Sequence, residues 1–512
     1  MEARGVNVGT LTIEATPGVQ ALFPDAPVID GRLHLEHTPR TTIPLRAIGY
    51  DVPPSIRTNY DFCGGTPFEI QTKTCELITE NPRCYVLNSM GTGKTRAALW
   101  SFDYMKKLGL VNKLLVVCPL STMNFTWAAE VLRATPHLRW AVLYGTAAKR
   151  RKLLDSRDVD VYVVNHDGLG IIAKEIVQRA DIDVICLDEL AVYRNNTLRT
   201  KTAAKVCANK PVVFGMTGAP MPNYVTDIYN QIKVITPHRV PKHFSWLRDE
   251  LQVRITNFKW LNKPGAIEKA FNYFQPSVRY TLDDIMELPE AVIPPPMETA
   301  LSPEQKRVYT SLRKFATAAV ASKEINAMNA GVLMSKLLQV STGWLYDSKH
   351  TAHSLGGEAR LQALVDIIDA AAGKTIIFAN YLHALHGIDE FLTARGYTPH
   401  VIYGAVSHKD RTKMFDMFQN TEDRSPLLVF PRCISHGLTL TAADTVVWFG
   451  PPLSAETYDQ CNARIRRVGQ KRKQLFVHLC STQIERQVYN LLTNRLMQQD
   501  SFLHLLEDAS WD

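Results

Sequence analysis

Between Asn88 and Thr95 the chain reads Asn-Ser-Met-Gly-Thr-Gly-Lys-Thr, directly after the apolar run Cys84-Tyr85-Val86-Leu87 and before a helical pattern through Ala97, Ala98 and Leu99. A strand, a glycine-bearing turn and a helix N-terminus together aim backbone N–H groups at an anion. Gly91 and Gly93 let the loop of Met90, Gly91, Thr92 and Gly93 close around a phosphate, Lys94 adds a point charge, and the Thr95 hydroxyl can ligate Mg²⁺. The spacing reads as a nucleoside triphosphate site. One position departs from the usual GxxxxGK[ST] pattern: Asn88 stands where the first glycine is expected.

Such a loop needs a carboxylate pair at the end of a neighbouring strand, and Val184-Ile185-Cys186-Leu187-Asp188-Glu189 supplies it. Asp188 is suited to hold Mg²⁺, mostly through water, and Glu189 to orient or deprotonate an attacking water, because phosphoryl transfer needs positioning and charge neutralisation. Far along the chain, Arg464 and Arg467 stand three apart, so on a helix they share a face and could both point at a triphosphate. Cations delivered from a second lobe make closure depend on the γ-phosphate. Lys471, Arg472 and Lys473 crowd the same stretch and read as a solvated basic end.

The elements that must position these groups follow a βαβ rhythm. Apolar runs near 84–87, 114–117, 159–164, 184–187 and 212–214 alternate with helical stretches, and the rhythm returns at 375–378, 400–403, 427–430, 446–449 and 475–478. This predicts two α/β lobes with parallel sheets. Between them, about 236–350 loses the strand rhythm, with Pro294-Pro295-Pro296 a stiff extended piece and Pro303 opening a helical stretch. The expected division is a small β-rich module at 1–60, a first lobe at 61–235, linker and helical protrusions at 236–350, a second lobe at 351–495 and a tail at 496–512.

Composition agrees. The 512 residues exceed the roughly 250 to 300 that one core organises, and 46% apolar with 21% charged residues is ordinary for globular proteins. No apolar stretch approaches the roughly 20 residues that span a bilayer, and the first residues lack the pattern of a secretory leader. Nine cysteines without a CxxC pair argue against disulfides and structural zinc; Cys118, Cys186 and Cys480 lie in apolar runs and read as small buried hydrophobes. The net charge of +8 permits a polyanionic partner without demanding one.

These residues resemble the helicase superfamily two ATPases, and within them the Swi/Snf type. Phe68-Glu69-Ile70-Gln71 is similar to the glutamine element that reads adenine, which implies ATP as the nucleotide and Gln71 at its base. Pro119-Leu120-Ser121, with Trp127 and Glu130 following, is similar to the second motif of this branch. Asp188-Glu189-Leu190-Ala191, then Arg194-Asn195, resembles the acidic motif, with Ala191 where histidine is common. Thr217-Gly218-Ala219-Pro220, with Asn223 downstream, resembles the coupling motif, Ala219 replacing a threonine. Leu301-Ser302-Pro303-Glu304-Gln305 matches a run found before the second lobe. Gly437 to Asp444, and Gln460 with Arg464 and Arg467-Val468-Gly469-Gln470, resemble the last two motifs, although Ser435-His436 and Thr439 depart from the family's pattern. The likeness runs from about 65 to 490. It implies two RecA-like lobes with helical protrusions, catalytic roles for Lys94, Glu189, Arg464 and Arg467, and coupling roles for Thr217, Gly218, Gly437 and Gln460.

The same resemblance implies DNA as the partner, held across both lobes by the loops that follow the strands. The candidates are Ser121, Asn165, His166, Arg194, Lys201, Ser407 and His408, giving salt-sensitive and largely sequence-independent contacts to phosphates. Arg279 resembles the arginine of the bridge between lobes. The expected activity is ATP-driven translocation on double-stranded DNA by a monomer, in the cytoplasm of a bacterium or a phage-infected cell. A strand-separating or annealing helicase, and an ATP-gated DNA clamp with little turnover, are the alternatives.

Overall fold

A computed structural model describes residues 8–222, 224–255, 260–282, 284, 289–321, 327–347, 351–434, 439–467 and 469–493. The strands, in chain order, are β1 (Thr10–Glu14), β2 (Val28–Ile29), β3 (Arg32–Glu36), β4 (Arg83–Val86), β5 (Lys113–Cys118), β6 (Trp140–Val142), β7 (Val161–Asn165), β8 (Ile182–Asp188), β9 (Val212–Met216), β10 (Gln252–Arg254), β11 (Trp260–Asn262), β12 (Ser277–Val278), β13 (Ala291–Val292), β14 (Met297–Glu298), β15 (Trp344–Tyr346), β16 (Ala352–Ser354), β17 (Lys374–Phe378), β18 (His400–Ile402), β19 (Leu427–Val429), β20 (Ala443–Trp448) and β21 (Gln474–Cys480). The chain divides into two compact units, Met1–Met286 and Glu287–Asp512.

The first unit is built on a parallel sheet of order β12-β4-β9-β8-β5-β7-β6. Along β4 and the residue after it, Cys84 and Val86 enter one buried cluster while Tyr85 and Leu87 enter the other. In β5, Val116 and Cys118 likewise oppose Leu115 and Val117. Helices cover both faces, which is why these strands read as unbroken apolar runs and not as alternating ones. The register places Met216 of β9 opposite Val86 of β4 on one side and Asp188 of β8 on the other. The loops after β4, β9 and β8 therefore leave the sheet at one level, with the β9 loop in the middle.

Ahead of this sheet, a small antiparallel one of order β1-β3-β2 packs with helices Pro17–Leu22 and Pro39–Ala47 around Val19, Leu33, Leu35 and Leu45. Pro17 and Pro39 open these helices, because a first-turn position loses nothing by lacking an N–H.

The second unit carries a parallel sheet of order β13-β21-β20-β17-β19-β18, with β14 also paired to β21. Among its described residues the 236–350 segment holds, besides helices Phe244–Leu251, Ala266–Tyr273, Pro303–Ala321 and Ala327–Ser341, six short strands, β10 to β15. Each is two or three residues long, too short for alternation to show. β13 and β14 add to β21 on either side of Pro294-Pro295-Pro296, whose missing N–H groups cannot continue the ladder. No helix among the described residues is long and apolar enough to cross a membrane.

Candidate active site

The phosphate loop joins β4 to helix Lys94–Lys107. Gly91 and Gly93 both take positive φ, 82° and 79°, which glycine adopts freely. Gly93 is doubly constrained, since a Cβ there would collide with the side-chain amide of Gln71. Gln71 is itself pinned, accepting the Phe68 N–H through Oε1 at 3.0 Å. Lys94 Nζ donates to the carbonyls of Asn88 and Ser89 at 2.7 and 2.9 Å, and the Thr92 hydroxyl donates to the Ser89 carbonyl at 2.9 Å. A phosphate competing for the ammonium must displace it from these neutral acceptors, which charged oxygens are suited to do.

Asp188 ends β8 with both oxygens engaged: Trp127 Nε1 donates to Oδ2 at 2.9 Å and the Glu189 N–H to Oδ1 at 3.1 Å. Burial raises its pKa from the ordinary aspartate value, opposed by the Trp127 bond and the charge of Lys94. Each carboxylate oxygen keeps lone-pair capacity, and a carboxylate with the Thr95 hydroxyl is a hard-oxygen donor set of the kind Mg²⁺ takes.

Glu189 adopts φ 58° and ψ 58°, a left-handed conformation that is costly for a residue with a side chain. Its carboxylate is held from the neighbouring strand, where Thr217 Oγ1 donates to Glu189 Oε1 at 3.1 Å and accepts the Ala219 N–H at 3.2 Å. Gly218 lies against the phosphate loop, so that a Cβ there would meet Met90 N and the Asn88 carbonyl, each at 3.5 Å. One turn thus touches both the loop and the acid.

In the second unit Gln460 lies on helix Ala455–Asn462, its amide donating to Glu456 Oε1 at 3.1 Å. Arg464 and Arg467 do not share a helical face as their spacing suggested: the helix stops at Asn462, and tight turns carry the chain onward. Arg464 is buried with its carbonyl accepting the Leu440 N–H at 2.9 Å, and Arg467 donates to Thr439 Oγ1 at 3.1 Å. The motif that precedes them in sequence thus bonds the Arg464 backbone and the Arg467 side chain. Gly437 lies outside the described residues, as do Asn223 and Ser435-His436.

Of the proposed nucleic-acid residues, His166 and Arg194 line one open cleft of about 660 Å³ with Asp167, Asn195, Leu198 and Arg199. The buried His166 ring bonds the Tyr193 hydroxyl through Nδ1 at 2.8 Å. Ser121, Asn165 and Lys201 are not in that lining; Asn165 Oδ1 accepts from Arg150 at 3.2 Å, and Lys201 is exposed on helix Leu198–Cys207. Ser407 caps helix His408–Asn420, its hydroxyl accepting the Asp410 N–H at 3.2 Å. The His408 side chain lies outside the described residues. Arg279 stacks over Phe271, 4.2 Å from the ring centre. A second cleft, about 340 Å³, escaped the sequence reading; it lies past the ends of β17, β19 and β20 and is lined by Asn380, Arg432, Ser454 and Thr457 among others.

Residues 75–350 match the SNF2-related domain, more than half of the chain. The chain belongs to this family. Residues 359–469 of this SNF2-related chain match the helicase conserved C-terminal domain. An uncharacterised ATP-dependent helicase of Mycoplasma genitalium is 22% identical over 411 residues, covering 78% of this chain and 38% of the relative. The ISWI chromatin-remodeling complex ATPase of Saccharomyces cerevisiae is 21% identical over 434 residues, covering 80% and 38%. The chain therefore spans well under half the length of these relatives. Among solved structures, the Sulfolobus solfataricus SWI2/SNF2 ATPase core in complex with dsDNA aligns with TM-score 0.42 and 20% identity over 89% of this chain and 96% of that one.

Proposed function

We propose that this SNF2-related chain is an ATP-driven translocase on double-stranded DNA. The observation that carries the reading is the alignment of three strand ends, β4, β9 and β8, with Thr217 in the middle strand's loop bonded to Glu189 and Gly218 against the phosphate loop. Lys94 and the loop N–H groups hold the β- and γ-phosphates, Gln71 meets the adenine, and Thr95 with Asp188 would hold Mg²⁺, which would supply neutralisation of the phosphate charge. Glu189 orients the attacking water and takes its proton. A change at the γ-phosphate alters the Glu189–Thr217 bond and so moves the β9 loop, which makes Thr217 and Gly218 the first coupling residues. Arg464 and Arg467 supply the cations that stabilise the transferring phosphoryl group.

Duplex DNA is bound through its backbone, with the cleft lined by His166 and Arg194 contributing hydrogen bonds and charge to phosphates. Such contacts release counterions, so binding weakens steeply with salt. The test is ATP turnover with no nucleic acid, single strand, duplex and forked DNA, each over a salt series. Strongest stimulation by plain duplex, fading with salt, supports the reading. Stimulation by single strand or RNA at matched salt replaces it with the strand-separating helicase, and tight DNA binding without turnover replaces it with the nucleotide-gated clamp.

A further inference from the structure

Asn88 stands where a phosphate loop usually begins with glycine, and it is buried. Both ends of its amide are committed. Nδ2 donates to Thr74 Oγ1 at 3.0 Å, and Oδ1 accepts the backbone N–H of Tyr280 at 3.0 Å. The Thr74 hydroxyl already donates to the Ile70 carbonyl at 2.6 Å, so it can only accept at this point; the Tyr280 N–H can only donate. The position therefore demands a donor and an acceptor from one short side chain. Asparagine supplies both, whereas aspartate lacks the donor and glycine lacks both groups.

The partners belong to different parts of the first unit. Thr74 lies on helix Glu69–Glu80, the helix that also carries Gln71. Tyr280 follows β12, and six residues further on the unit ends at Met286, where the chain passes into the second unit. Two backbone bonds reinforce the attachment: Leu87 N–H donates to the Val278 carbonyl and Ser89 N–H to the Tyr280 carbonyl, each at 2.8 Å. The same dipeptide faces the ligand side, because the Asn88 and Ser89 carbonyls accept from Lys94 Nζ.

The Asn88 carbonyl and the Ser89 N–H are the two ends of one planar peptide unit. One end holds Lys94 and the other holds Tyr280. When a triphosphate draws Lys94 to its own oxygens, the force on that plane changes, and a rotation that relaxes one end strains the other. We propose that Asn88 is a positioning residue that passes nucleotide occupancy of the phosphate loop to the connecting segment at 277–280, and through it to the chain entering the second unit. The inference rests on the reading of the loop as an ATP site. Its amide keeps Tyr280 and the Gln71 helix registered on the loop, so that movement of the peptide plane reaches the connector instead of being absorbed locally.

Hydrogen exchange on the full chain tests this, comparing the peptide that covers 277–281 with no nucleotide, with Mg-ADP and with a non-hydrolysable ATP analogue. In the unaltered chain its protection changes when nucleotide binds. In Asn88→Gly, which restores the usual loop pattern, the connector peptide no longer responds even at nucleotide concentrations that saturate binding of a fluorescent ADP, and stimulation of turnover by duplex DNA falls about tenfold, within the usual span of site-to-site coupling. If Asn88→Gly does not fold, Thr74→Val keeps the bond to Tyr280, cuts the amide's bond to the helix together with the Thr74 hydroxyl's own bond to the Ile70 carbonyl, and shows the same loss in weaker form. A connector that ignores bound nucleotide in the unaltered chain overturns the proposal, as does a full response and full stimulation in a folded variant. Absence of nucleotide binding in the unaltered chain overturns the ATP-site reading itself, a result distinct from an unresponsive connector.

Discussion

The Thr217 hydroxyl donates to Glu189 Oε1 across 3.1 Å, joining a carboxylate on a left-handed backbone to the strand that separates it from the phosphate loop. Thr217→Val keeps the shape and removes the donor. If Thr217 orients Glu189 for catalysis as proposed, nucleotide affinity is expected to persist while turnover falls about ten- to a hundredfold. Separate measurement of nucleotide binding and ATP hydrolysis checks this, and equal turnover in the variant removes Thr217 from the coupling route.

Glu189→Gln removes the carboxylate proposed to activate water and leaves the outline. The variant is expected to bind Mg-ATP and hydrolyse it orders of magnitude more slowly. If binding is lost and the rate per bound ATP survives, the acid's role is to hold the metal and not to activate water.

The arginines of the second unit give a sharper contrast. Arg467→Ala is expected to retain much of its ATP affinity, because Lys94 and the loop N–H groups remain, and to lose about 10³ to 10⁵ in rate as transition-state arginines do. The parallel measurement on Arg464→Ala separates a γ-phosphate contact from a packing role, since Arg464 is buried and also meets the preceding motif through its carbonyl. Near-normal turnover in both variants ends the two-lobe account.

Acid should weaken the second unit. Burial pushes the pKa of His383 down to about 4, helped by the charge of Lys336, and burial does the same to His478, which bonds the Tyr458 hydroxyl at 2.9 Å and stacks on Tyr489. An unfolded histidine titrates near 6.5, so between about pH 6.5 and 4 the unfolded chain binds more protons than the folded one. The stability these rings permit is present above pH 6.5 and lost as pH falls, reaching a penalty of about 3 kcal/mol each near pH 4. His383→Phe, in its setting of Tyr346, Tyr381 and Trp344, is expected to flatten part of this loss in urea melts at pH 7 and 5.

The unequal legibility of these features has physical causes. Runs such as Val184 to Leu187 were readable as strands because helices cover both sheet faces, so no polar residue interrupts them. β6 was not, being three half-buried residues at a sheet edge. The loop and acid motifs announce themselves by local spacing, but the bonds that organise them do not. Trp127 reaches Asp188 across 61 residues of sequence, and Asn88 reaches Tyr280 across 192. The spacing of Arg464 and Arg467 suggested a common helix face, yet the helix ends two residues before the first of them. Periodicity says nothing of where a helix stops when no glycine or proline marks the end.

Displacement of a third strand from a duplex tests the central claim most directly, because it reads movement along DNA without requiring the duplex to open. The account predicts ATP-dependent release of the third strand by the unaltered chain, no release by Lys94→Ala, and no separation of the underlying duplex. Duplex-stimulated ATP hydrolysis with the third strand left in place would contradict it.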